Sequence, residues 1–158
     1  MPLKETTFDQ LTRWDKKFLD LCGTIEKWSK DPSTQVAAVI VGPDNEVRSL
    51  GYNGLPRGVE DLPTRYEIRP EKYKWVEHAE RNAIYNAARS GTPLQGCTIY
   101  LKWFPCTDCA RGIIQSGITH MVCEHPDVEM PTWGADFKIS LQMFEEAGIN
   151  VKTYARVA

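Results

Sequence analysis

Glu77-His78-Ala79-Glu80-Arg81-Asn82-Ala83-Ile84, answered by Phe104-Pro105-Cys106-Thr107-Asp108-Cys109, decides how this chain is read. One histidine and two cysteines supply three nitrogen and sulfur donors, and zinc favours tetrahedral sets of such donors. Three protein ligands leave a fourth position open, as a catalytic site requires. Glu80 is then surplus to the ligand set and free to carry protons. Cys106 and Cys109 are three apart, which puts both sulfurs on one side of a first helical turn. The unpaired N–H groups and partial positive charge of a helix N-terminus favour thiolates there. Pro105 stiffens the entry and donates no N–H. His78 completes the set from the neighbouring helix, and the sequence leaves open which imidazole nitrogen binds. Glu80 stands two residues further on, roughly opposite His78 in an ideal helix. The pair is therefore expected to straddle the first turn, with His78 outside ideal helical geometry.

Working outward, Glu77 to Arg89 reads as a helix closed by Gly91, and Cys106 to Ser116 as a helix closed by Gly117. Between and after them lie short apolar strands, Cys97 to Lys102 and His120 to Cys123. Asp136 to Ala147 forms a last helix before Gly148, and Val151 to Val157 a final strand. Upstream, Phe8, Leu11, Trp14, Phe18, Cys22, Ile25 and Trp28 recur at threes and fours, a long amphipathic helix with Thr7 as N-cap and Asp31-Pro32 as its stop. Gln35 to Val41 is an almost wholly apolar strand, and Val47 to Tyr52 pairs back after the turn at Gly42-Pro43-Asp44-Asn45. Asn53 to about Pro70 is a long irregular stretch of the kind that usually serves function. The order α-β-β-α-β-α-β-α-β predicts a three-layer α/β/α fold around a central mixed five-stranded sheet, formed by residues 1–158 as a single domain. Helices that follow strands in this way present their N-termini at the carboxyl edge of the sheet, where α/β proteins build their sites.

Composition narrows the function classes. The 158 residues carry 19 basic and 21 acidic side chains, a formal charge of −2, which argues against bulk adhesion to nucleic acid. No window approaches a membrane span and no secretory leader opens the chain, so a cytoplasmic location is expected, the host cytoplasm for a viral protein. Of five cysteines, Cys22, Cys97 and Cys123 fall in apolar periodic segments and read as reduced core residues.

Four stretches resemble the deoxycytidylate (dCMP) deaminase family: Ser29-Lys30-Asp31-Pro32, Gly51-Tyr52-Asn53-Gly54-Leu55-Pro56-Arg57-Gly58, Glu77 to Ile84, and Phe104-Pro105-Cys106. The order H-x-E…P-C-x-x-C is the established signature of zinc deaminases acting on nucleobases, and Gly-Tyr-Asn-Gly narrows the resemblance to the dCMP branch. That resemblance implies a cytidine-deaminase-like fold and zinc-dependent hydrolysis of dCMP to dUMP and ammonia, which supplies dUMP for thymidylate synthesis. It places His78, Cys106 and Cys109 on the ion, Glu80 as proton shuttle, Asn53 on the sugar hydroxyl and the Ala79 N–H on the base carbonyl. Leu55 stands where nucleoside deaminases carry a sugar-gripping Glu, which disfavours a plain nucleoside. Lys30, Ser33 and Arg57 are candidates for the phosphate, with Arg81 and His125 behind them; solvent exposure is the competing reading of Lys30 and Arg57. Trp103 and Phe104 either wall the base pocket or belong to the core. Relatives of this kind are often hexamers activated by dCTP and inhibited by dTTP. The resemblance therefore implies a homo-oligomer with Arg89, Gly54 and Arg57 at an effector pocket, and Mg2+ accompanying a triphosphate. Arg89 equally suits a cation placed at a helix C-terminus. No His or Cys occurs from Gly54 to Glu77, so a second, structural zinc is not expected.

Four other readings use the same motif. A tRNA adenosine deaminase would call for a basic surface, and the tail from Asn150 carries only Lys152 and Arg156. A deaminase of another small base shares the reaction but not the ring. A nucleotide-sensing zinc module, or a closed zinc knuckle completed by His120, His125 or Cys123, would have no use for Glu80.

Overall fold

Ala37–Val41 (β2) is apolar and buried at every position, the pattern of a strand covered on both faces. This computed structural model describes residues 3–155. β2 pairs antiparallel with Val47–Tyr52 (β3) on one side and antiparallel with Thr98–Leu101 (β4) on the other. His120–Glu124 (β5) and Asn150–Tyr154 (β6) extend the sheet in parallel, each reached through a crossover helix. Lys4–Thr6 (β1) then adds parallel to β6, so the sheet has six strands in the order β1-β6-β5-β4-β2-β3 rather than the expected five. The extra strand, Lys-Glu-Thr, has no apolar alternation, and main-chain pairing alone defines it. The end of the expected final strand, beyond 155, lies outside the described residues, as does Arg156.

Side chains alternate across the strands and sort the core into two layers. Ile40, Ile99, Met121 and Val151 lie opposite one another on four adjacent strands. They pack with Ala83 and Ala87 of Ala79–Ser90 (α4), Ile113 of Thr107–Gln115 (α5) and Phe144 of Gly134–Ala147 (α6). On the opposite face, Val39, Tyr100 and Val122 meet Phe18, Cys22 and Ile25 of Arg13–Ile25 (α1). The three-layer α/β/α class is as predicted. Cys22, Cys97 and Cys123 are all buried in these layers, also as predicted.

The helix boundaries moved where capping chemistry is stronger than apolar periodicity. Thr7 opens only a 3-10 turn, Phe8–Gln10, while Thr12 caps α1 by accepting the Asp15 N–H at 3.0 Å and donating its own N–H to Asp15 Oδ2 at 3.2 Å. Gly91 and Gly148 end α4 and α6 with φ of 70° and 72°, a left-handed conformation that costs glycine little. The stretch after Asn53 contains two single-turn helices, Thr64–Glu67 (α2) and Lys72–Trp75 (α3), too short to show a period. Among the described residues no helix is long and apolar enough to cross a membrane.

One contact places the site. At Gly51 in β3 a Cβ would lie 2.4 Å from the Ala83 nitrogen, so α4 rests directly on the strand backbone. Ser49 Oγ donates to the Ala83 carbonyl at 2.6 Å, and Asn82 and Asn86 each donate to edge-strand carbonyls, those of Tyr52 and Leu50, at 2.8 Å. Just beyond, Gly54 and Glu77 exchange backbone hydrogen bonds of 3.1 and 2.8 Å. The residue before His78 is thereby fixed to the end of β3.

Candidate active site

His78 is the N-cap of α4, with φ −75° and ψ 151°, and Glu80 is the second residue of that helix. The extended conformation at His78 resolves the two-residue spacing, because the pair does not share helical geometry. Cys106 is likewise the N-cap of α5, and Cys109 follows in the first turn. His78 Nδ1 lies 3.4 Å from each of the two sulfurs, and the three donor atoms fall within 4.8 Å of one another. Nδ1 is thus the nitrogen that faces the thiols. Glu80 is buried, and its Oε2 stands 3.0 Å from Cys109 Sγ. One imidazole and two thiols at this separation fit zinc, with a carboxylate alongside that the ligand set does not need.

The electrostatics agree. The Cys106 thiol is drawn down to about 4 by the hydrogen bond from Cys109, against burial, and by His78. Cys109 is pushed up by that same bond and by burial. Burial raises Glu80 above the usual carboxylate range, only partly offset by His78. Arg81 ties the two donor turns together, with Nη2 2.7 Å from Glu77 Oε1 and Nη1 3.6 Å from Asp108 Oδ2.

His78, Cys106 and Glu80 line a cleft of about 180 Å³. Its walls include Phe104, Trp103, Trp133 and Phe137, together with Val36 and Asn53. Lys72, Arg69, Tyr73 and Asp31 line it as well. Lys72 Nζ pairs with Asp31 Oδ2 at 2.8 Å, and both side chains are almost fully buried at 7% and 1% exposure. Ser33 Oγ accepts from Lys72 Nζ at 2.9 Å and from Arg69 Nη2 at 3.2 Å.

The family described as the cytidine and deoxycytidylate deaminase zinc-binding region matches residues 12–125, the stretch that holds the whole cluster. The chain belongs to this family. Within the deaminase family, an uncharacterized deaminase from the luxG 3′ region of Aliivibrio fischeri is 42% identical over 142 residues, covering 89% of this chain and 93% of that protein. The deoxycytidylate deaminase of Homo sapiens is 40% identical over 119 residues, 72% of this chain and 66% of its own length. The dCMP deaminase of cyanophage S-TIM5, solved in complex with dCMP and dUMP, has a TM-score of 0.70 over 91% of this chain and 99% of its own, at 21% identity, a likeness of fold.

Measured against this deaminase geometry, the expected residues divide. His78, Cys106, Glu80, Asn53 and Phe104 line the cleft, Cys109 lies buried behind it within the donor cluster, and Ala79 lies between two of the lining residues. Asn53 is already engaged: Oδ1 accepts the Val36 N–H at 3.0 Å, and Nδ2 donates to the Thr34 carbonyl at 2.8 Å. Phe104 serves wall and core together, edge-on to Phe137 and Phe144. Lys30 is a correction: its side chain is 72% exposed and paired with Asp61, outside the cleft. Arg81 is committed to the donor turns, and His125 Nδ1 bonds Thr153 Oγ1 at 3.0 Å. His120 bonds Thr119 and Cys123 is buried in the core, so neither joins the donor cluster. Arg57 and Arg89 are exposed. Arg89 stands in the last turn of α4, at the far end from Gly54, roughly 15 Å along the axis by helical rise. Lys72 and Arg69 were not anticipated, since a lysine in a charged stretch reads as surface. Its partner, Asp31, is distant in sequence, and only Asp31 and Ser33 beside it mark the place.

Proposed function

We propose that the chain is a zinc-dependent hydrolase that converts dCMP and water to dUMP and ammonia, within a single catalytic domain. The observation that carries this reading is one cleft lined by His78 and Cys106 of the donor cluster, by the carboxylate of Glu80, and by the cationic side chains of Lys72 and Arg69. His78, Cys106 and Cys109 would hold the ion, which when bound supplies the Lewis acidity that brings the pKa of water down to about 7. Glu80 accepts one proton of the attacking water and delivers it to N3 of the base as oxygen bonds to C4. It then takes the hydroxyl proton and hands it to the amino group, so the C4–N bond breaks, ammonia leaves and C4 keeps a carbonyl. Burial raises this carboxyl, the direction that favours its holding and passing on a proton. As the first residue of α4, Ala79 has an N–H without an intrahelical acceptor, available to the base carbonyl. Phe104 and Trp103 flank the ring, and Asn53, held by the 34–36 backbone, meets the sugar. Lys72, Arg69 and Ser33 take the phosphate in place of Lys30.

The test is ammonia release from zinc-loaded protein offered dCMP, deoxycytidine and CMP separately. Turnover of dCMP that Glu80→Gln lowers by ~10²–10⁴-fold supports the reading. Deoxycytidine turned over as well as dCMP would defeat the phosphate assignment, and an unimpaired Glu80→Gln would defeat the mechanism.

Regulation by dCTP and dTTP, with Mg2+ on the triphosphate, rests on the family resemblance. Arg89 and Gly54 lie at opposite ends of α4, so an effector pocket uniting them with Arg57 needs a second copy of the chain. Light scattering with and without dCTP should then report an oligomer, a hexamer in the fullest form of this proposal. A strictly monomeric protein that dCTP activates would rule that geometry out.

A further inference from the structure

An N-cap side chain ordinarily accepts a hydrogen bond from the first turn of its helix. Neither His78 nor Cys106 does so, because each turns its donor atom toward the cluster. In α5 the missing acceptor comes from another helix. Asp136 Oδ2 accepts the Thr107 N–H at 2.7 Å, and Asp136 Oδ1 accepts the Thr107 hydroxyl at 3.1 Å. Thr107 is the first residue of α5 and stands between the two sulfur donors in the chain. Asp136 belongs to the first turn of α6, so its carboxylate joins two helix N-termini, where both dipoles favour a negative charge.

We propose that Asp136 is a positioning residue for the metal-binding turn: by gripping Thr107 at two atoms it sets the entry of α5, and with it the separation and direction of Cys106 and Cys109. The inference rests on the zinc reading of the cluster. A carboxylate in this place does for the thiolate turn what partners beyond the ligands do for metal-bound histidines, fixing donor orientation before the ion arrives.

The experiment uses the full chain and three variants, Asp136→Ala, Asp136→Asn and Thr107→Val. Zinc affinity is measured by competition with a chromophoric chelator, the donor geometry by the sulfur-to-cobalt absorption of the Co2+-substituted protein, and folding by thermal unfolding of the metal-free forms. Asp136→Ala should weaken zinc binding by ~10–100-fold and alter the cobalt spectrum. Asp136→Asn keeps an acceptor for the Thr107 N–H and should restore most of both. Thr107→Val retains the N–H but loses the hydroxyl and should fall between. Parental zinc affinity and an unchanged cobalt spectrum in Asp136→Ala, whatever its melting temperature, would overturn the proposal. Should that variant fail to fold, a Thr107→Val protein indistinguishable from the parent in both readouts overturns it. A parent that binds zinc but leaves dCMP intact counts against the proposed function alone, whereas a parent that binds no zinc defeats both.

Discussion

Lys72 and Asp31 form the least expected pair in the molecule, two opposite charges withdrawn from water beside the cleft. Removing one member of such a pair strands the other, at a cost of roughly 3–5 kcal/mol. Lys72→Ala should therefore lower the urea midpoint strongly, and adding Asp31→Ala should recover part of the loss. Arg69 separates binding from stability, because its guanidinium bonds Ser33 Oγ at the exposed rim. Arg69→Ala should leave the melting temperature nearly unchanged and raise KM for dCMP about tenfold, the worth of one charged hydrogen bond at ~1.5 kcal/mol. The KM for deoxycytidine should not move. The donors and Glu80 were legible because their chemistry is local and ordered along the chain. Lys72 and Asp136 were not, since each acquires its role from a partner on a distant segment, Asp31 and Thr107.

The seam between β3 and α4 is where an element fails or holds as a unit. Gly51→Ala would drive a methyl group into the Ala79 carbonyl and the Ala83 nitrogen, 2.7 and 2.4 Å away. Because His78 and Glu80 ride on the first turn of α4, this substitution should lower both the melting temperature and turnover, and zinc content should fall with them. Asn86→Ala should act differently. It takes a partner from the Leu50 carbonyl, at about 1 kcal/mol, but leaves the first turn of α4 in place. Stability should drop modestly in urea titration while kcat is retained. The Gly-Tyr-Asn-Gly run carried the family resemblance but gave no sign of this contact, because the helix that rests on Gly51 lies nearly thirty residues on. β1 was invisible for another reason, as the sequence Lys4-Glu5-Thr6 has no apolar alternation to read, and it is defined by its backbone pairing with β6.

Two buried carboxylates tie peripheral segments to the sheet assembly and make its stability depend on acid. Burial pushes Asp15 up, but the hydrogen bonds from Lys152 at 2.7 Å and Tyr100 at 2.9 Å outweigh it and hold the carboxyl below its ordinary value. Asp31 is likewise raised by burial and brought down further by Lys72, Ser33 and Thr34. A group depressed in the folded state adds stability that is complete above its unfolded pKa of about 4 and is lost as pH falls through the lower folded value. Urea midpoints should thus hold between about pH 7 and pH 5 and drop below about pH 4, with Asp15→Asn/Asp31→Asn showing a lower, flatter profile. The layered architecture was readable from the order of elements, because crossovers and alternation constrain it; the sheet's outer edge was not. That edge has a temporal meaning. β1 is synthesised before β6, the strand it pairs with, and the four other strands of the sheet come between them in the chain. The nascent chain therefore carries β1 without its sheet partner while β2 to β5 are made, and this edge of the sheet is sealed only once β6 has emerged.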